Sequence, residues 1–406
     1  MSSRLSPDVR QYLLITGNYW AFTLTDGALR MLVVLHFHQL GYTPLQVASL
    51  FLFYEIFGVV TNLLGGWLGA RIGLNRTMHI GLALQVGALA MLMVPASWLV
   101  VPWVMAAQAL SGIAKDLNKM SAKSSIKLLV PDDRQGMLYR WVAALTGSKN
   151  ALKGVGFFLG GALLTSVGFT NAVGIMAGGL LLVWCLSVLL LRGDLGKAKV
   201  KPKFRDLLSK SRAINLLSGA RMFLFASRDV WFVVALPVFL AQTLGWDFWE
   251  VGGFLAAWVI GYGIVQSSAP CVTGRRGGRV PDGRSAFVWA LLLAGIPAVM
   301  AALLMRGIAP AAVLVAGLTV FGVLFAINSS LHSYLIVSYA AEDGVSLDVG
   351  FYYMANALGR LFGTLLSGWL FQVYGIAICL AVSSMLVVLA ALVSIALPRH
   401  APSVAA

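Results

Sequence analysis

The stretch RGDLGKAKVKPKFRDLLSKSRA, Arg192 to Ala213, is the only long polar segment in a chain of 406 residues, and it falls close to the middle. Elsewhere the sequence is dominated by apolar residues: 59% of the chain is hydrophobic and 11% charged, with a mean hydropathy of +0.85. Soluble proteins carry about a quarter charged residues, so an ordinary water-exposed globular protein is excluded. Each flank divides into six apolar stretches, and only helices satisfy every backbone group across a bilayer. The predicted spans are 12–40, 44–69, 77–95, 98–129, 137–166, 170–191, 213–242, 249–270, 285–305, 309–339, 347–374 and 376–397. The expected fold is all-α, a polytopic membrane protein with two six-helix halves (residues 1–191 and 213–406) joined by a basic linker at 192–212.

A formal net charge of +15, from 30 Lys and Arg against 15 Asp and Glu, needs a location on such a chain. Basic residues stay on the cytoplasmic side of membrane loops. Arg4 and Arg10, Arg71 and Arg76, Lys127 and Arg134, the run from Arg192 to Arg212, the cluster Arg275, Arg276, Arg279 and Arg284, and Arg399 all fall in segments on one side. The opposite loops hold little beyond Arg306, so both termini are predicted to be cytoplasmic. The linker reads as a solvated basic segment obeying this rule, or as an anionic-lipid contact. The first apolar stretch is too long for a signal peptide and lacks a small-x-small cleavage site, so it is expected to stay on the mature protein.

The halves repeat each other. Leu40-Gly41 matches Leu244-Gly245, and Arg71 and Gly73 match Arg275 and Gly277, at an offset of 204. Lys153, Gly161 and Gly168 match Arg360, Gly368 and Gly375 at an offset of 207. Two parallel six-helix repeats resemble the internal symmetry of major facilitator transporters, which implies a substrate site at the midplane. The loop GWLGARIGLNR, Gly66 to Arg76, is similar to that superfamily's cytoplasmic G-x-L-A-D-R-x-G-R-K element; Gly66, Leu68, Arg71 and Gly73 fit, and Ala70 stands where an Asp is expected.

Eight cations fall at membrane depth: Arg30, Lys115, Lys119, Lys149, Lys153, Arg221, Arg228 and Arg360. Four acids oppose them, Asp26, Glu55, Asp116 and Asp229, leaving an excess of four positive charges. Each charge facing lipid costs roughly 2.5–3.5 kcal/mol, so the eight would cost about 20–28 kcal/mol unless they face a polar interior. Helical spacing offers one: Asn18, Asp26 and Arg30 are separated by multiples of four, Gln108, Ser111, Lys115 and Lys119 form a stripe with Asp116 beside it, and Lys149/Lys153 and Asn356/Arg360 are i,i+4 pairs. Asp26 with Arg30 reads equally as an ion pair holding its helix in register. Arg228 and Asp229, adjacent in sequence, are expected to point in different directions and pair with other helices. Lys149, Lys153 and Arg360 have no nearby acid on their own helices, and a buried cation needs an anion from somewhere.

The expected ligand is therefore a small organic anion carrying several charges, held by Arg forks and Lys point charges. Asn18, Asn118, Asn150, Asn328, Asn356, Ser329, Ser330 and His332 could bond to its oxygens, or act as helix–helix contacts. Asp26, Glu55, Asp116, Asp229 and His332 are candidates for proton coupling or structural ion pairs. Cys185, Cys271 and Cys379 are dispersed and read as small apolar fillers, so neither a disulfide framework nor a soft-metal site is expected. No metal, cofactor or nucleic-acid partner is expected beyond the lipid bilayer itself, and the chain is read as a monomer. A polytopic membrane enzyme would need clustered His or Asp at one interface, whereas His36, His38, His79, His332 and His400 are scattered.

The segments NYWAFTLTDGALRMLVVLHFHQLGY (Asn18–Tyr42), GIAKDLNKMSAKSSIKLLVP (Gly112–Pro131) and LYRWVAALTGSKNALKGVGFFLGG (Leu138–Gly161) resemble the ArsJ-type organoarsenical efflux permeases. The resemblance runs along the chain and weakens after about Gly274. It implies export of 1-arseno-3-phosphoglycerate from a bacterial inner membrane, with a glyceraldehyde-3-phosphate dehydrogenase as functional partner making the ester, and hence arsenate resistance. Such an anion needs several cations and no thiolates. Uptake or exchange of a phosphate ester is the other carrier reading.

Overall fold

The computed structural model describes residues 6–41, 50, 52–191, 195–199, 203, 211–246, 248–274 and 280–399. Among them the regular structure is helical: α1 (Pro7–Gln39), α2 (Leu52–Ile72), α3 (Leu74–Met91), α4 (Val101–Leu129), α5 (Gln135–Val167), α6 (Phe169–Leu190), α7 (Arg212–Phe232), α8 (Ala235–Gln242), α9 (Phe248–Thr273), α10 (Gly283–Met305), α11 (Pro310–Tyr339), α12 (Val345–Tyr374) and α13 (Ile376–Ser394), with one 3₁₀ turn at Ala96–Trp98. α7 and α8 form a single 31-residue span, Arg212–Gln242, so the spans number twelve. At the break, Ser367 Oγ accepts the Ala235 backbone N–H at 3.1 Å, satisfying one of the orphan donors at the start of α8. Seven spans are apolar enough to cross a membrane on hydropathy alone. The other five include α1, α4 and α12, whose hydropathy is diluted by the charged residues of interest.

The internal repeat has a backbone counterpart. Gly168 and Gly375 each precede a helix with φ +79°, and Gly41 and Gly245 have φ +86° and +72°. Side chains rarely adopt this region, which glycine enters freely. These four matched glycines are thus turn positions with the same backbone requirement.

Two compact units are present. The first comprises 1–141, 148–208 and 340–354; the second comprises 142–147, 209–339 and 355–406. In the first unit the opening turns of α12 lie on α2: Ser346 Oγ donates to Gly66 O at 2.7 Å, and a Cβ on Gly350 would stand 2.8 Å from Asn62 O. In the second unit Gly147 of α5 packs on α9, with Gly263 O 2.5 Å from where its Cβ would be. The second unit's core is aromatic; Trp231 makes edge contacts with Trp258 and Phe321 at 6.1 and 5.1 Å between centroids.

Part of the linker is docked rather than solvated. Leu74 N–H donates to Leu195 O at 2.7 Å, Ala198 N–H to Ala70 O at 2.8 Å, and Lys199 N–H to Asp343 Oδ1 at 3.0 Å. Residues 195–199 therefore strap the α2–α3 turn to the loop before α12, all within the first unit. The Arg71 guanidinium lies over the Trp67 ring at 4.8 Å. With Ala70 in place of an acid, this turn is held through the Ala70 carbonyl rather than a carboxylate. The remainder of the 192–212 run through residue 210, residue 203 apart, and Arg4, Arg275, Arg276, Arg279, Gly277 and His400 lie outside the described residues.

Candidate functional site

The site in the first unit grows from the α2–α4 contact. Tyr54, Gly58, Thr61 and Gly65 recur at helical spacing on α2 and form the stripe facing α4. A Cβ on Gly112 would lie 3.0 Å from Tyr54 O, and one on Gly65 would lie 3.1 Å from Leu117 Cδ2. Close approach at Gly112 brings Lys115 and Asp116, one turn further along α4, over the same face. The Lys115 ammonium sits 3.7 Å from the Tyr54 ring centroid. Asp116, 1% exposed, is bonded by Lys119 Nζ at 2.7 Å and by Thr61 Oγ1 at 2.9 Å.

A second close crossing, α1 on α5, supplies the remaining charges. Gly27 and Gly156 face each other; a Cβ at Gly27 would meet Lys153 O, and one at Gly156 would meet Leu24 O, each at 2.7 Å. Small residues allow such backbone approach. The crossing sets Lys153 Nζ 3.7 Å from Asp26 Oδ2, while Tyr54 Oη donates to Asp26 Oδ1 at 2.8 Å. The Arg30 guanidinium also lies over the Tyr54 ring, 4.9 Å from its centroid. Lys149 Nζ donates to Asn150 Oδ1 at 3.2 Å, with Lys153, Lys119 and Lys123 within electrostatic reach. Lys123 Nζ donates to Tyr353 Oη, whose ring also lies 4.7 Å beneath Lys119.

The described side chains here are six cations, Arg30, Lys115, Lys119, Lys123, Lys149 and Lys153, and two carboxylates, Asp26 and Asp116. The surplus is four positive charges. Lys115 has no carboxylate within ion-pair distance among the described residues and rests on an uncharged ring. Such a surplus in a polar interior attracts an external anion.

The second unit repeats one device and changes the rest. Glycine again sets the crossing: a Cβ on Gly363 of α12 would lie 2.7 Å from Ala226 O of α7. Arg360 Nε donates to Asp229 Oδ2 at 3.1 Å, the counterpart of Lys153 on Asp26. Arg228, expected to point away from Asp229, instead turns onto it, with Nε and a terminal nitrogen 2.6 and 2.5 Å from Oδ1. Asp229 is fully buried and two turns from Arg221, so one carboxylate serves two guanidinium groups because no other acid is placed there among the described residues. Arg360 has therefore found its acid on a neighbouring helix. Arg221 bonds to neutral oxygens, donating to Asn356 Oδ1 at 2.9 Å and Ser329 Oγ at 3.2 Å, with Gln266 Nε2 also donating to Ser329 Oγ. His332, 1% exposed, makes no hydrogen bond.

Several polar residues have roles other than ligand contact. Asn18 does not share a face with Asp26 and Arg30; its Nδ2 donates to Ser187 Oγ at 2.8 Å, joining α1 to α6. Eight residues at 100° per residue leave an 80° drift, and twelve leave 120°, so spacing by fours does not hold a stripe over three turns. Asn118 donates to Ala114 O and lies against Gly81 of α3, and Asn328 donates to Trp289 O. Cys379 is buried, whereas Cys185 and Cys271 are exposed rather than filling gaps. The side chains of Glu55 and His38 lie outside the described residues. Sequence reasoning missed Tyr54, Thr61, Lys123 and Tyr353. Lys123 follows Lys119 at i+4 and was legible from that spacing, whereas the tyrosines read as ordinary apolar residues.

Residues 13–281 match the Major Facilitator Superfamily. The chain belongs to that superfamily. It is a multi-pass membrane transporter, and its helical architecture has solved counterparts. The human organic anion transporter MFSD10 (TETRAN) is 17% identical with a TM-score of 0.75, covering 96% of this chain and 100% of its own. A bacterial homologue of the iron transporter ferroportin is 18% identical with a TM-score of 0.74, covering 95% and 98%. The E. coli fucose:proton symporter FucP is 12% identical with a TM-score of 0.73, again covering 95% and 98%. Their cargoes differ, so this facilitator's substrate rests on its own side chains. No curated protein sequence matches it.

Proposed function

We propose that this facilitator exports a small organic anion bearing phosphate- and arsenate-type groups, 1-arseno-3-phosphoglycerate in particular, across a bacterial inner membrane by alternating access of its two halves, with both termini in the cytoplasm. The observation that supports this most directly is the surplus of four positive charges among the described side chains of the first unit's cluster. Phosphate-like oxygens match Arg forks and Lys ammonium groups, and a polyanion compensates several cations at once. A glyceraldehyde-3-phosphate dehydrogenase that accepts arsenate would supply the ester. The membrane potential assists outward movement of each negative charge by about 2.3 kcal/mol per 100 mV. Asp26, Asp116 and Asp229 are each engaged by cations in the structure, so proton coupling would require one of those pairs to open.

Everted vesicles test the reading. Enzymatically made arsenophosphoglycerate should accumulate faster than 3-phosphoglycerate, and Lys115→Ala or Lys149→Ala should abolish the accumulation. Normal arsenate resistance in cells that co-express the dehydrogenase with correctly inserted Lys115→Ala and Lys149→Ala variants would overturn the site. Equal rates for both esters would support the general phosphate-ester carrier instead.

A further inference from the structure

Tyr54 touches three charged groups while being 2% exposed and carrying no charge itself. Its hydroxyl donates to Asp26 Oδ1 at 2.8 Å, and its ring lies under the Lys115 ammonium at 3.7 Å and the Arg30 guanidinium at 4.9 Å. The two contacts have opposite electrostatic consequences. A ring face orients a cation without neutralising it. A hydroxyl bond fixes a carboxylate in one place and occupies one of its oxygens. Asp26 is the one described carboxylate on α1's side of this cluster, with Lys153, Lys115 and Arg30 acting on it. Released from Tyr54, its carboxylate would be held, among the described residues, by Lys153 alone at 3.7 Å and could swing toward the cations that an incoming anion must find.

We propose that Tyr54 is a positioning and specificity-setting residue of the anion site: it tethers Asp26 so that the carboxylate does not compete with the transported anion for Arg30 and Lys115. The inference rests on the reading of this cluster as an anion site. Gly112 permits the arrangement, since its missing Cβ lets the Tyr54 backbone come against α4 one turn before Lys115. A tyrosine of merely structural importance would also bury its ring and bond its hydroxyl. A structural bond would register its loss in stability, whereas the tethering role makes the loss of anion affinity depend on the charge at position 26.

The experiment is a double-mutant cycle on the purified full-length protein, with binding of 3-phosphoglycerate measured by isothermal titration calorimetry. Tyr54→Phe keeps the ring and removes the tether, and it should weaken binding about tenfold, the size expected for loss of one hydrogen bond to a charged group. In an Asp26→Asn background the same change should weaken binding less than about twofold, because no competing charge remains to be released. Asp26→Ser supplies a second neutral background if the asparagine variant fails to fold. Tyr54→Leu, which also removes the ring, should weaken binding in every background. An equal loss for Tyr54→Phe with and without the Asp26 charge, or no loss in either, overturns the proposal while leaving the anion site standing. No binding by the wild-type protein would overturn both.

Discussion

Replacing Asp229 by asparagine keeps the shape of the side chain and removes the charge that two arginines share. Asp229 is fully buried, with Arg228 at 2.5 and 2.6 Å and Arg360 at 3.1 Å. Breaking a buried ion pair from one side costs about 3–5 kcal/mol, because the surviving charge stays buried. The Arg228 side chain is 16% exposed and carries most of that cost. Arg360, 33% exposed, is partly screened and adds little. A net loss of about 3 kcal/mol follows, the low end of the range. At about 2–4 °C per kcal/mol for a body of 150–250 residues, the apparent Tm should fall by about 6–12 °C. The assay is thermal unfolding of purified protein in detergent, followed by intrinsic tryptophan fluorescence. Adding Arg228→Gln to Asp229→Asn should recover part of the loss, since one uncompensated cation is removed. A fall below about 1 °C for Asp229→Asn would refute the claim that this carboxylate is what makes the second unit's arginines tolerable in the membrane.

The remaining predictions concern packing, the linker and pH. Gly156→Ala and Gly363→Ala each place a Cβ 2.7 Å from a backbone oxygen of the facing helix, so each should destabilise by about 1–3 kcal/mol through overpacking, read as lower Tm and lower folded yield. Asp343→Ala removes the acceptor for Lys199 N–H and should raise the rate of tryptic cleavage at Lys199 several-fold, while cleavage at Arg71 stays unchanged. Lys127 Nζ donates to Asp132 Oδ1 at 3.0 Å and holds that exposed carboxyl below its ordinary value. A depressed folded-state pKa stabilises above the unfolded value and is lost as pH falls through the folded one. The Tm difference between wild type and Asp132→Asn should therefore be constant at neutral pH and shrink below about pH 4.

The twelve spans were legible because bilayer hydrophobicity acts on each segment separately: a stretch such as Phe169–Leu190 must be helical whatever its neighbours do. Turn glycines were equally local, as Gly168 and Gly375 show. The pairing of charges was not. Arg228 and Asp229 sit side by side in the chain, and side chains 100° apart on a helix do not face each other; only the packing of α7 against α12 turned both toward one point with Arg360. Tyr54 was invisible for the same reason, since its hydroxyl acquires meaning from Asp26 of α1 and its ring from Lys115 of α4.

The sequence by itself therefore determined that this protein crosses a membrane many times as a bundle of helices, and it led to the expectation of two related halves around a cationic interior. Composition and local periodicity suffice for that, because solvent and backbone physics judge each segment alone. Which cation is compensated, which is left on an aromatic ring, and where the linker at Leu195–Lys199 docks were decided by the tertiary structure. Those outcomes depend on glycine-permitted helix crossings such as Gly27 on Gly156, which bring Asp26 and Lys153, more than a hundred positions apart, within ion-pair distance.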